Sequence, residues 1–310
     1  MRVLVTGGAG FIGSHLVDAL MSRGYSVTVL DDLSEGNKNN LRPHLDNPEF
    51  SLIKSDVRDK VTIKEAVAHT DAVIHEAALK SIPLSIKNPE LAHEINVHGT
   101  INLLREGRDA GIKRFVFAST CAVYGDADRM PISEETPPRP LSPYARSKLD
   151  AEESCREFYL RDGLQAVSLR YFNVYGPRQS GGEYAGVMLK FIENLRNNRP
   201  PVIYGDGEQT RDFIYVSDVV EATILALEKH GVGGEVINVG TMRRVSINEL
   251  CNTFINISGK THLKPIYEAA RLGDIRHSQA DISKAERLLN FRPKVPIEQG
   301  VKLLWESSVG

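Results

Sequence analysis

Tyr144 and Lys148 stand four residues apart in the segment SPYARSKLDAE, residues 142–152. Ser142 reads as a helix N-cap and Pro143 as the first helical residue. A spacing of four puts both side chains on one helix face, close enough for an ammonium to act on a phenol. A phenol of ordinary pKa, near ~10, is ionised in about one molecule in a thousand at pH 7, and full ionisation there needs roughly 4 kcal/mol. A lysine about 5 Å away contributes on the order of 3 kcal/mol at an effective dielectric near 20. The pair is therefore a candidate proton acceptor, or else an ordinary solvated helix face, and the rest of the chain has to decide.

The elements around it alternate. RVLVTG (2–7), SVTVLD (26–31), SLIKSD (51–56), AVIHEAA (72–78), RFVFAST (114–120) and AVSLRYFNV (166–174) are apolar runs of strand length. Segments able to form helices separate them. That order predicts an α/β protein with a parallel sheet covered on both faces, in which ligands bind outside the carboxyl ends of the strands. After about residue 174 the stretches YGPRQSGGEYAG and NNRPPVIYGDGEQTRDF are rich in Gly and Pro. They predict a smaller, loop-rich substrate lobe over 174–310 beside a nucleotide domain over 1–173, to which EVINVG (235–240) returns a strand.

TGGAGFIG (6–13) lies between the first strand and the first helix, and can be read with Gly7 or with Gly8 ahead of Gly10 and Gly13. Small residues there allow a tight turn and let a pyrophosphate approach the helix N-terminus, where free N–H groups and the helix dipole favour an anion. The fold class is thus a Rossmann-type, doubly wound sheet. Asp31, at the tip of the second strand, suits the ribose diol of an adenosine and repels a 2′-phosphate, so NAD is expected rather than NADP. Asp56, after the third strand, is a candidate for the adenine. Ser119 and Thr120 end the fifth strand and offer hydroxyls to an oxygen that Tyr144 deprotonates. With a cationic nicotinamide adding to the lysine, the tyrosine becomes a base at a hydride-transfer centre.

Composition excludes several alternatives. The 310 residues are 41% hydrophobic and 25% charged with a formal net charge of -2, which gives no basic footprint for nucleic acid. Cys121, Cys155 and Cys251 are widely spaced, without a metal-type pair, so no metal is expected and a reducing, cytoplasmic setting fits. Glycines interrupt the apolar start, which reads as neither a signal peptide nor a membrane span.

The motifs TGGAGFIGSHL, HEAALKSIPLSIKNP, NVHGT, STCAVYGD, SPYARSK, RYFNVYGPRQ, GDGEQTRDFIYVSD and RLGDIRHSQADISKA, in this order, resemble the extended short-chain dehydrogenase/reductases. Within them the chain is most similar to the nucleotide-sugar epimerase/dehydratase group, especially UDP-hexose 4-epimerases. The resemblance implies Thr120, Tyr144 and Lys148 as the catalytic set. It implies cofactor contacts from Phe11, Ile12, Asp31, Asp32, Asp56, Val57, Ala77, Lys80, Asn96, Tyr144, Lys148 and Phe172. For the UDP-sugar it implies Asn173, Val187, Met188, Tyr204, Arg211, Arg271 and Asp274, with Lys80, Ser81 and Thr120 also near the sugar. Guanidinium forks suit a diphosphate, which agrees for the two arginines.

The 4,6-dehydratases carry an Asp-Glu pair after the strand-end Thr, and the UDP-glucuronate decarboxylases place a Glu nearby; here Cys121 and Ala122 follow Thr120. This disfavours elimination and decarboxylation, and Cys121 reads as packing. The expected reaction is inversion at C4 of a UDP-hexose through a transient 4-keto sugar. A dehydratase or decarboxylase is the alternative enzyme, and a non-catalytic NAD-binding regulator the alternative of another class. In the family a residue just before the AD-x-SKA run lines the pocket by the C2 substituent; here it is Ser278, small enough to admit an N-acetyl group, with Ser81 and Ser85 as hydrogen-bond candidates. The resemblance also implies a homodimer, paired through the helix bearing Tyr144 and the one before it.

Overall fold

The computed structural model describes residues 1–179, 186–270, 273 and 275–309. Seven parallel strands form the main sheet: β1 (Arg2–Thr6), β2 (Ser26–Asp31), β3 (Phe50–Lys54), β4 (Ala72–His75), β5 (Arg114–Thr120), β6 (Ala166–Tyr171) and β7 (Val236–Val239). Their spatial order is β7-β6-β5-β4-β1-β2-β3. The chain runs outward from β1 to β3, then crosses back to lay β4 against the other side of β1, with Val3 opposite Ala72 and Thr6 opposite His75. The reversal opens a crevice at the carboxyl ends of β1 and β4, the place where such sheets bind ligands. β1, β4, β5 and β6 are buried almost throughout, as a sheet covered on both faces requires.

Two expected strands stop three residues short of the end of their apolar runs. The run 72–78 stops as a strand at His75, and Glu76–Lys80 continues as irregular backbone into the crevice. The run 166–174 breaks at Phe172: Ala166–Tyr171 stays in the sheet, while Asn173–Tyr175 pairs with Phe213–Tyr215 in a separate ribbon. The C-terminal segment is also more regular than its Gly/Pro content suggests. Helix Val216–Glu228 packs beside helix Phe11–Ser22, and β7 pairs with β6, so residues beyond 173 share a core with those before it. Val219, Ile224, Phe254 and Leu250 join Leu16, Leu20 and Val29 in that core.

Helix Pro143–Asp162 begins as its sequence predicts. Ser142 Oγ accepts from Ala145 N at 3.1 Å, and Gly163 closes the other end in the left-handed conformation. Beneath it lies a buried ion pair. Arg170, on β6, binds Glu152 through Nε at 2.9 Å and Nη2 at 2.6 Å, and Ser119 also hydrogen-bonds Glu152. This ties the helix to β5 and β6 directly below Lys148. No helix among the described residues is long and apolar enough to cross a membrane, and they hold no cluster of metal-ligating side chains.

Candidate active site

A cavity of about 580 Å³ follows the crevice. One end is walled by Gly7, Gly10, Phe11, Ile12, Gly13, Asp31, Asp32, Asp56 and Val57, and the other by Ala118, Ser119, Tyr144, Lys148, Tyr171 and Glu76, with Ala77 and Lys80 between. The glycine loop leaves no room for side chains. Gly7 has φ +68°, and a Cβ there would lie 2.6 Å from Ala77 N; a Cβ on Gly13 would lie 2.8 Å from Gly8 Cα and closer still to the Gly7 carbonyl. Gly10 caps helix Phe11–Ser22 in extended backbone, so the first N–H groups of that helix face the cavity end. This cradle, long and narrow with an acidic tip, fits an extended dinucleotide.

The acids at that end are already held. Asp31 accepts from Ala9 N at 2.9 Å and Leu33 N at 2.8 Å; burial pushes its carboxyl up, and these two bonds oppose the rise. It therefore latches the glycine loop to β2 while facing the cavity. Asp32 accepts from Ser34 N at 2.9 Å and Ser34 Oγ at 2.7 Å. Asp56 is bidentate with Arg58, at 2.9 and 2.6 Å, which holds its carboxyl below the usual range. Lys80 Nζ lies 3.0 Å from Glu35 across the cavity mouth.

At the far end, the Thr120 hydroxyl stands beside the Tyr144 phenol, and Thr120 Oγ1 accepts from Ala122 N at 3.2 Å, which fixes its orientation. Burial pushes Tyr144 up to about 12, and the Thr120 hydroxyl opposes the rise. Burial pulls Lys148 down to about 8, and the nearby Glu76 carboxylate opposes the fall. The Lys148 ammonium lies 4.4 Å from the centre of the Phe117 ring. Tyr144 is fixed from outside its helix as well, since its backbone N–H donates to Ser85 Oγ at 3.1 Å.

Several expected contacts stand elsewhere. Asn96 and Phe172 do not line the cavity. Asn96 braces its wall by bonding Leu79 N at 2.8 Å, Leu79 O at 3.1 Å and Ser147 Oγ at 2.9 Å, and Phe172 is buried 6.5 Å from the Tyr124 ring. Ser81 caps helix Ile82–Lys87 through Leu84 N at 3.3 Å, and Ser85 donates to Ile82 O, so both hydroxyls serve the protein's own backbone. Asn173, Val187, Met188, Tyr204 and Arg211 lie outside this cavity, on the ribbon, the start of helix Val187–Arg196 and two short strands. Arg271 and Asp274 fall outside the described residues.

Ser278 is brought to the reactive end from far along the chain. Its N–H donates to Thr210 O at 3.1 Å and its hydroxyl lies near the Cys121 thiol, which sits within electrostatic reach of Tyr144. Cys121 is half-buried and burial holds its thiol neutral, near 12, so it packs against the site rather than within the core. Asp212, wholly buried, pins the same segment through Ala280 N at 3.0 Å and Thr241 N at 2.8 Å. Sequence reasoning passed over Glu76 and Tyr171. Both sit inside apolar strand runs, and their one signal was position, just past or at the carboxyl end of a strand.

Residues 3–240 match the model of the NAD dependent epimerase/dehydratase family. A UDP-glucose 4-epimerase from Mycolicibacterium smegmatis is 38% identical over 303 residues, covering 97% of this chain and 96% of the relative. Among solved structures, a UDP-glucose 4-epimerase from Thermotoga maritima with UDP-glucose superposes with TM-score 0.93 at 38% identity, covering 99% of this chain and 98% of that one. A UDP-N-acetylglucosamine 4-epimerase from Methanobrevibacter ruminantium, in complex with UDP-N-acetylmuramic acid, gives 0.94 at 38% identity with the same coverage. Nucleotide-sugar decarboxylases and a 4,6-dehydratase also match nearly all of this chain. The glycine cradle, the strand-end threonine and the Tyr144/Lys148 pair are thus set in a chain that belongs, over most of its length, to the NAD dependent epimerase/dehydratase family.

Proposed function

We propose that the protein inverts the configuration at C4 of a UDP-hexose. The observation that carries this reading is the contact of Thr120 with Tyr144 at the end of the dinucleotide cavity, with no carboxylate at the next two positions, Cys121 and Ala122. NAD, when bound, supplies a hydride acceptor that is regenerated in each cycle. Tyr144 takes the proton of the C4 hydroxyl, Thr120 orients the same oxygen, and Lys148 supplies positive charge that favours the phenolate. Bringing a phenol from about 12 to ionisation at pH 7 spans five pKa units, about 7 kcal/mol, so lysine alone does not suffice and the cationic ring is needed. The sugar is held only through UDP, for which Asn173, Val187, Met188, Tyr204, Arg211, Arg271 and Asp274 are the proposed contacts. It can therefore present either face once C4 is planar, and the proton and hydride return to the opposite face.

UDP-glucose and UDP-N-acetylglucosamine are the substrates this reading favours. Ser278 stands where the family resemblance puts a residue lining the C2 side, and a serine is small enough there to admit an N-acetyl group. The reading includes a homodimer in the cytoplasm, paired through helices Gly99–Ala110 and Pro143–Asp162, on whose outer face Leu160 is 69% exposed. Light scattering at micromolar concentration tests the dimer; a monomer contradicts it. For the reaction, the protein is incubated with UDP-glucose, UDP-N-acetylglucosamine and UDP-glucuronate, and C4 stereochemistry is followed by NMR. C4 inversion with the remaining carbons unchanged supports the proposal; loss of water or carbon dioxide assigns a dehydratase or decarboxylase.

A further inference from the structure

Glu76 has no part in the proton transfer above, yet it faces the same end of the cavity as Tyr144 and Lys148. Its backbone is fixed, since its N–H donates to Thr6 O at 3.1 Å and extends the pairing of β4 with β1. The carboxylate accepts from Tyr171 Oη at 2.9 Å; Tyr171 Oη lies 2.8 Å from Thr223 Oγ1, which donates to Val219 O at 2.8 Å. The three contacts need three protons. With Glu76 neutral, the acid donates to Tyr171, Tyr171 to Thr223 and Thr223 to Val219, and every contact is filled. With Glu76 charged, Tyr171 donates to it and Thr223 has one proton for either Tyr171 or Val219, so one contact is left without a proton. The network thus accepts the neutral acid without strain, and burial raises Glu76 to about 7, against the pull of Tyr171 and Lys148.

We propose that Glu76 is an electrostatic positioning residue for the cofactor: its carboxylate offsets Lys148 and favours the cationic ring of NAD+ over the neutral ring of NADH. With Lys148 and the ring positive, and the Tyr144 phenolate and Glu76 negative, the side chains and ring at this end sum to zero. Oxidation of C4 to a carbonyl would give one hydride to a bound NAD+ and the hydroxyl proton to Tyr144. One charge of each sign would then disappear and the sum would stay zero, which spares a buried site a large desolvation cost. Glu76 also opposes ionisation of Tyr144, so its contribution lies in holding the oxidised ring and favouring return of the hydride, rather than in activating the base.

The sign of the pH effect follows. NAD+ favours the charged carboxylate, so affinity for NAD+ relative to NADH rises with pH through neutrality as Glu76 loses its proton. The other groups facing this pair change charge elsewhere. His75 is held neutral by burial near 3, Tyr144 lies near 12, Tyr171 and Cys155 are raised well beyond the window, and Glu152 is paired with Arg170. Lys148 titrates on the alkaline side, and its loss of charge acts with the same sign. Substitution separates the two.

The inference rests on the nicotinamide lying at the Tyr144 end and not on which sugar is turned over, so a binding measurement tests it independently of the reaction. The holoenzyme is equilibrated with mixtures of NAD+ and NADH between about pH 6 and pH 7.5, and the bound ratio is read after denaturation. Glu76→Gln, which keeps an acceptor for Tyr171, should lower the preference for NAD+ about tenfold, the worth of one pKa unit, and flatten its pH dependence. Glu76→Asp should restore part of both. Lys148→Met removes the charge that pulls Glu76 down, so it should move the pH-dependent rise to higher pH; read up to about pH 9, it carries the test if Glu76→Gln does not fold. Equal loss of NAD+ and NADH in Glu76→Gln, an unchanged ratio, or a flat ratio in Lys148→Met would overturn the proposal.

Discussion

At the nucleotide end of the cavity, Asp31, Asp32 and Asp56 are each engaged by a neighbour within two residues in sequence, and Asp31 also holds Ala9 of the glycine loop. At the other end Thr120, Tyr144, Lys148, Glu76 and Tyr171 arrive from β4, β5, β6 and a helix, and their ionisable members are shifted by burial. The first end is a shape made by backbone, with charges satisfied locally. The second is a set of ionisable groups assembled by the whole sheet and shifted by burial. The comparison teaches that binding and chemistry draw on different resources: the nucleotide end should fail through steric change, and the reactive end through loss of a single proton site.

Ranked by loss of UDP-glucose turnover, Tyr144→Phe comes first. It should lower turnover by about 10²-fold or more while bound NAD and UDP affinity stay unchanged, because only the proton acceptor is removed. Near-normal turnover would show that the two ends do not divide the work this way. Gly13→Ala should break the other end: the added methyl overlaps Gly8 Cα and the Gly7 carbonyl, an overpacking cost of about 1–3 kcal/mol. Its signature is loss of copurified NAD, and full NAD content would contradict the steric account. Asp31→Asn should weaken NAD, since the latch to Ala9 and Leu33 loses one charge-assisted acceptor, and should raise the activity supported by NADP relative to the parent protein. Ser278→Tyr should spare UDP-glucose and abolish turnover of the N-acetylated sugar. Equal loss of both would place Ser278 outside the pocket wall.

Much of this was legible because it is local. The glycine loop, the acid at the tip of β2 and the capped helix carrying Tyr144 are each specified within a dozen residues, where turn chemistry and apolar period speak directly. Thr120 and Ser278 were assigned through the family resemblance; in the fold Thr120 stands near Tyr144 and Ser278 near Cys121. Glu76 was invisible. A lone acid after His75 reads as the polar end of a strand, and only the approach of Tyr171 and Lys148, 95 and 72 residues onward, makes it a buried charge. Asn96 shows the reverse. A residue assigned to the cofactor bonds Leu79 and Ser147, because an amide can brace a loop as readily as it binds a ligand. The ends of β4 and β6 were misplaced since apolar character runs past the last paired residue in both.

The central claim is that hydrogen leaves C4 as a hydride and returns to the same carbon from the other face. UDP-glucose deuterated at C4 tests it directly, with the product followed by NMR. The account predicts UDP-galactose that keeps deuterium at C4, in unlabelled water, with no net accumulation of NADH. Loss of the label to solvent, its appearance at another carbon, or NADH formed in step with product would contradict it.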